Sequence, residues 1–221
     1  MLLMMRRLSA EALGTCLLIV SVIGSGIMAE TLTQDVALQL LCNAIATGGA
    51  LVALILIFAP VSGASFNPVV GIVSSLMGET SWKQTGLYAI AQTIGGCVGA
   101  VIANLMFDLD AINISEKIRT GSNIWLSEVV ATVGLLVVIY GTIRANRSHQ
   151  VPFTVAAWIT GAYFFTSSTS LANPAVSVAR SLSNTFAGIA PESVPMFIVM
   201  QLIGAAIGFV IIKFAFSQEQ Q

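Results

Sequence analysis

Charge is what this chain has least of. Only 9% of its 221 residues are charged, against about 25% in a soluble domain. There is a single histidine, His149, and three cysteines, Cys16, Cys42 and Cys97, which stand apart in apolar runs. That excludes a disulfide framework, a zinc-type ligand spacing and a histidine-based catalytic set, so no metal, cofactor or enzyme activity is expected. With a net charge of −1 there is no basic footprint for nucleic acid. No signal peptide is expected within the first apolar run. That run, Leu8 to Met28, is too long for a signal core and reads as a membrane helix.

The rest of the chain is apolar: 56% of the residues are hydrophobic and the mean hydropathy is +0.91. This describes an integral membrane protein of one domain, residues 1–221. Six runs can span a bilayer: Leu8–Met28, Val36–Phe58, Thr85–Phe107, Ile124–Ile143, Ser148–Phe165 and Val194–Phe216. The fifth is the shortest in strictly apolar residues. Placing both termini in the cytoplasm puts Arg6, Arg7, Lys83, Arg144, Arg147 and Lys213 inside and Lys117, Arg119 and Arg180 outside, as the positive-inside rule favours.

Two Asn-Pro pairs interrupt the apolar pattern, Asn67-Pro68 and Asn173-Pro174. Asn caps helices well and Pro is tolerated in a first turn, so each pair reads as a helix start. The helical stretch after each pair is short, Val69–Leu76 and Ala175–Ser183, and about ten residues rise only about 15 Å, half a bilayer core. The small or polar residues before each pair, Pro60–Phe66 and Thr166–Ala172, can return the chain to the midplane. Both segments are expected to be re-entrant, with their helix N-termini meeting at the centre.

The pairs belong to an internal repeat. Glu11 and Thr15 match Glu128 and Thr132, and Gln92-x-x-Gly95 matches Gln201-x-x-Gly204. Each half, about 1–107 and 123–217, holds three spanning runs and is joined to the other by a polar loop over 108–122. Three is odd, so the second half must be inverted in the membrane, which puts a transport site at the midplane between the halves. Gly95, Gly96, Gly99 and Ala100, with Gly204, Ala205 and Gly208, supply small-residue contacts for close helix packing. Glu11 and Glu128 are ionisable groups inside spanning runs. Either they relay protons for coupled transport, or they accept hydrogen bonds from the irregular re-entrant backbone; their symmetric placement favours the second.

These residues resemble the major intrinsic proteins, the aquaporins and aquaglyceroporins. The resemblance rests on the two Asn-Pro boxes, AEALGT at Ala10–Thr15, SGASFNP at Ser62–Pro68 and AQTIGG at Ala91–Gly96. It implies an all-α membrane protein: a right-handed bundle of six transmembrane helices plus two re-entrant half-helices, arranged as an inverted repeat, with a pore in each subunit of a homotetramer. By resemblance the pore midplane is Asn67, Pro68, Val69, Asn173, Pro174 and Ala175. The constriction is Thr47, Gly161, Ser170 and Val176. Val176 stands where the family normally has a constriction Arg, a pattern similar to bacterial aquaporin-like channels linked to arsenic resistance. Arg180, one turn further along, is expected to line the outer vestibule and partly replace that charge. The implied function is passive passage of small neutral solutes (polyols, urea, metalloid hydroxides such as arsenite, and water) across the inner, or plasma, membrane. The alternatives are a water-selective aquaporin, a proton-coupled transporter using Glu11 or Glu128, and a scaffold that conducts little.

Overall fold

The computed structural model describes residues 2–216, and among them it is built from eight α-helices. These are α1 (Leu2–Leu32), α2 (Val36–Ser62), α3 (Pro68–Leu76), α4 (Trp82–Met106), α5 (Ser122–Arg144), α6 (Val151–Phe165), α7 (Pro174–Arg180) and α8 (Val194–Ala215). Short 3-10 turns at Ser148–Gln150 and Pro191–Ser193 lead into α6 and α8.

Local chemistry sets the helix ends. Asp35 starts α2 by accepting from the backbone N–H groups of Ala37 and Leu38 at 2.8 and 3.1 Å. Ser81 does the same for α4 through Gln84 N. Helix α2 runs through Pro60 and stops only at Gly63, which adopts the left-handed conformation at φ 94°. The irregular segment before α3 is therefore 63–66 and not the seven residues from Pro60 that the sequence suggests. Helix α7 likewise ends at Arg180, three residues before Ser183.

Among the described residues, five helices are long and apolar enough to cross a membrane: α1, α2, α4, α5 and α8. The fifth of the six expected runs is instead the 15-residue helix α6. At 1.5 Å per residue it rises about 22 Å, short of a core of about 30 Å.

The two halves pack by the same plan. Helix α1 lies on α2 and α4, and α5 lies on α6 and α8. The short helices cross over: α3 packs on α4 and α8, while α7 packs on α8 and α4. Glycine permits the closest crossings. A Cβ at Gly95 would stand 2.1 Å from the Ala12 carbonyl oxygen, and one at Gly99 2.3 Å from that of Cys16. At Gly204 the corresponding obstacles are Thr132 Cβ at 2.8 Å and the Val129 carbonyl oxygen at 2.9 Å. These obstacles are largely backbone and cannot step aside. Gly95→Val is expected to force α1 and α4 apart, costing about 1–3 kcal/mol or more. A broadened, early-eluting profile in size-exclusion chromatography, together with a lowered melting temperature, would register it.

The loop joining the halves is laced to the loop after α7. Asn113 and Ser115 donate backbone N–H groups to the carbonyls of Leu182 and Ser181, at 3.1 and 2.9 Å. Ala190 N donates to the Lys117 carbonyl at 2.8 Å. Asn104 Nδ2 donates to Leu182 O, and its Oδ1 accepts from Ser183 Oγ. This lacing fixes where Lys117 and Arg119 sit.

Candidate functional site

The tips of α3 and α7 meet. Asn67 and Asn173 are the N-caps, both in extended conformation. Asn67 Oδ1 accepts from Val69 N at 3.1 Å. Asn173 Oδ1 accepts from Ala175 N and Val176 N at 3.0 and 3.3 Å. Each side-chain amide then reaches across the junction. Asn67 Nδ2 donates to the Ala172 carbonyl, and Asn173 Nδ2 to the Phe66 carbonyl, both at 2.8 Å. This reciprocal tie is not visible in the sequence, which shows the pair of caps but not their partners. An amide nitrogen carries two hydrogens, so each Asn keeps one donor beyond the tie.

The loops that deliver these tips hold strained backbone. Ala64 and Phe66 have φ of 50° and 47°, and their counterparts Ser170 and Ala172 have 51° and 47°. A non-glycine residue pays about 1–2 kcal/mol for the left-handed region, so something must hold it there. Two buried carboxylates do. Glu11 accepts from Ser65 N and Phe66 N at 3.1 and 2.8 Å, from the hydroxyls of Ser62 and Ser65, and from Gln92 Nε2. Glu128 accepts from Leu171 N and Ala172 N, both at 2.9 Å, and from Gln201 Nε2 at 2.7 Å. Both glutamates are 0% exposed.

A central cavity runs past the two tips. The long helices contribute apolar lining, Leu18, Val22, Leu51, Ile55, Leu135, Ile139, Val155 and Ile159, together with Thr47 of α2 and Tyr163 of α6. The loops, caps and short helices contribute the polar groups of Ser65, Asn67, Ser170, Asn173 and Arg180, with Val70 and Val176 among them. No Asp or Glu among the described residues lines it.

Of the six midplane residues, only Asn67 and Asn173 face this cavity. Val69 is fully buried and packs with Leu136 and Ala205. The Ala175 carbonyl and the Ala179 methyl lie against Gly96, and neither Pro68 nor Pro174 is in the lining. Of the four constriction residues, Thr47, Ser170 and Val176 come together on the cavity wall. Gly161 does not. A Cβ there would meet only the Phe165 ring of its own helix, at 3.5 Å. The α6 residue on the wall beside them is Tyr163, whose hydroxyl is hydrogen-bonded to Thr47 Oγ1 at 3.1 Å. Counting back from the second Asn-Pro box selects Gly161; the apolar run of α6 offers no signal that the neighbouring face turns inward. Ser170 Oγ is buried, borders the cavity and has no protein hydrogen-bond partner among the described residues.

Arg180 is 2% exposed, at the border between the central cavity and a second pocket at one of its mouths. Its Nε donates to the Ala187 carbonyl. The second pocket also takes in Lys117, Arg119 and Thr169. Sequence reasoning misses Arg119 as a site residue because only the tertiary lacing of its loop brings it here. It donates Nε to Gly188 O at 2.9 Å and Nη1 to Ser168 O at 3.2 Å. Burial, and secondly the Arg180 charge, push its pKa down to about 9, so it stays protonated at neutral pH. A third pocket, which shares Ser65, Val70 and Ile139 with the central cavity, is edged by Ser62, Ser74, Thr80 and Glu79.

Comparison with known proteins fits this architecture. The family profile described as Major intrinsic protein matches residues 2–172. Aquaglyceroporin AqpS of Rhizobium meliloti (strain 1021) is 50% identical over 208 residues, covering 94% of this chain and 89% of that protein. Aquaporin NIP1-2 of Arabidopsis thaliana is 33% identical over 153 residues, which is 65% of this chain and 51% of that one. The X-ray structure of the aquaglyceroporin from Plasmodium falciparum superposes with a TM-score of 0.78 over 97% of both chains at 19% identity, a likeness of fold. This protein, with its paired half-helices and its two carboxylate-held loops, belongs to the major intrinsic protein family.

Proposed function

We propose that the central cavity is a passive pore for small neutral solutes bulkier than water: polyols, urea and metalloid hydroxides such as arsenite, with water passing as well. The observation that carries this reading is the cavity lining, which combines hydrogen-bonding groups with apolar side chains and includes no carboxylate among the described residues. A polyol has the same mixed character, hydroxyls beside C–H groups. Similarity to a protein named an aquaglyceroporin supports the same substrate class. The constriction in this reading is Thr47, Tyr163, Ser170 and Val176, closed on one side by Arg180. No guanidinium stands at position 176, so in this reading the ring is wide, and its one charge is that of Arg180 at the edge.

Selectivity against ions comes from the tips. The free amide hydrogens of Asn67 and Asn173 orient a passing oxygen, and a water so held cannot relay a proton along the file. The positive ends of α3 and α7 oppose cations at the same place. Glu11 and Glu128 act from behind the loops as supports, since their oxygens are occupied by loop and glutamine donors.

The chain is an integral membrane protein. In this reading it lies in the inner, or plasma, membrane with both termini cytoplasmic, from the distribution of Lys and Arg, and assembles as a homotetramer. Native mass spectrometry is expected to show four copies. The test of function is a stopped-flow panel on proteoliposomes. Glycerol, urea and arsenite are each expected to enter faster than into empty liposomes. Passage of water alone would contradict the wide constriction and favour a water-selective pore.

A further inference from the structure

We propose that the pocket formed by Lys117, Arg119, Thr169 and Arg180 binds a small dissolved oxyanion of phosphate or sulfate size, which covers that mouth of the pore and slows neutral-solute flux. The proposal rests on reading the central cavity as the pore.

Three cations converge there from two distant stretches of chain, and no carboxylate among the described residues shares the lining. Their hydrogen-bond partners are carbonyls and one hydroxyl, none of which carries a charge; the carboxylate whose charge acts on Arg119 and Arg180 is Glu128, outside the pocket lining and engaged by Leu171 N, Ala172 N and Gln201 Nε2. Lys117 Nζ donates to the Phe186 carbonyl at 2.8 Å and lies 5.0 Å from the centre of its ring. The Arg119 bonds end on the carbonyls of Gly188 and Ser168, and on Thr169 Oγ1 at 3.4 Å. The Arg180 bond ends on the Ala187 carbonyl. An ammonium has three donors and a guanidinium five, so each cation keeps hydrogens for a ligand. Glu30 is the carboxylate that acts on Lys117, and it is itself engaged by Phe186 N at 3.0 Å.

Like charges held together in a half-buried pocket repel, and an anion among them recovers that free energy. Charge-assisted bonds to oxyanion oxygens are the strong kind. A neutral solute has no use for three charges. Arg180 borders both the pocket and the central cavity, so an ion seated against it stands over the solute path.

The test has two arms. In the first, calorimetry on detergent-purified protein measures inorganic phosphate binding at fixed ionic strength, against chloride, because salt alone screens charge. Saturable binding is expected, weakened about tenfold in K117Q, as the loss of one charge-assisted bond implies. Arg119→Gln should weaken it further. Lys117 is exposed and outside the central cavity, so K117Q keeps the proposal testable should R119Q fold poorly. In the second arm, glycerol flux is followed in neutral-lipid vesicles with phosphate on both sides. Phosphate should slow wild type and spare K117Q. Absence of phosphate-specific heat, or equal heat in K117Q, overturns the site. Binding without slowed flux overturns its placement over the mouth. Slowing by anionic lipid in place of phosphate overturns the dissolved ion in favour of a headgroup. If glycerol does not pass even without phosphate, the channel reading fails, and the calorimetry still decides the site.

Discussion

Glu128→Ala is expected to abolish solute flux and to lower the melting temperature sharply. The carboxylate accepts the backbone N–H groups of Leu171 and Ala172, in a loop where Ser170 and Ala172 sit in the left-handed region. Removing it strands two buried donors at about 1–3 kcal/mol each, and nothing then opposes relaxation of the strained backbone. The carbonyl of Ala172 is also the acceptor for Asn67 Nδ2, so relaxation would undo the tie between the two half-helices. Glu128→Gln keeps one acceptor oxygen but sets an amide NH2 against a loop N–H, and should fall between wild type and alanine. Glu11→Gln should behave alike, because Glu11 serves Ser65 and Phe66 in the same way. Stopped-flow flux beside thermal unfolding measures both effects. A proton relay predicts something different: a stable Glu128→Gln protein whose flux has merely lost its dependence on a pH gradient.

Val176→Arg is expected to lower glycerol flux on the order of tenfold, about 1.4 kcal/mol of added barrier, and water flux much less. Val176 is 6% exposed on the cavity wall with Thr47, Tyr163 and Ser170. In the proposed reading, a guanidinium there would fill space that the carbon chain of a polyol needs, and a water needs less of it. The new charge would also stand one turn from Arg180. Val176→Leu separates size from charge: it narrows the ring without a cation and should cost glycerol less than arginine does. Flux of both solutes falling equally in Val176→Arg would mean that position 176 does not set the size limit.

Much of this site is legible in the sequence because it is written twice. Two Asn-Pro boxes, two glutamates and two Gln-x-x-Gly pairs, each in its own half, point to an inverted repeat around a central junction. Each of those residues carries a chemical type that has few uses inside a membrane. The losses come where side-chain type says nothing about direction. Tyr163 and Gly161 lie in one apolar helix, and only packing decides which faces the cavity. The stretch from Pro60 to Phe66 reads as the returning segment, yet α2 passes through Pro60 and stops at Gly63, where a left-handed residue is tolerated without strain. Arg119 sits in an ordinary polar loop, and reaches the mouth only because Ser193, Gly188 and Ser168 hold it there.

The most direct measurement is of glycerol entry and proton leak in the same proteoliposomes, by light scattering and an entrapped pH dye under an imposed potential. The proposed role of the two opposed half-helix tips and their amide pair in blocking protons predicts glycerol entry well above empty liposomes and a proton leak no greater than theirs. A proton or cation current that rises with the amount of protein, or glycerol entry no faster than through bare lipid, would contradict the account.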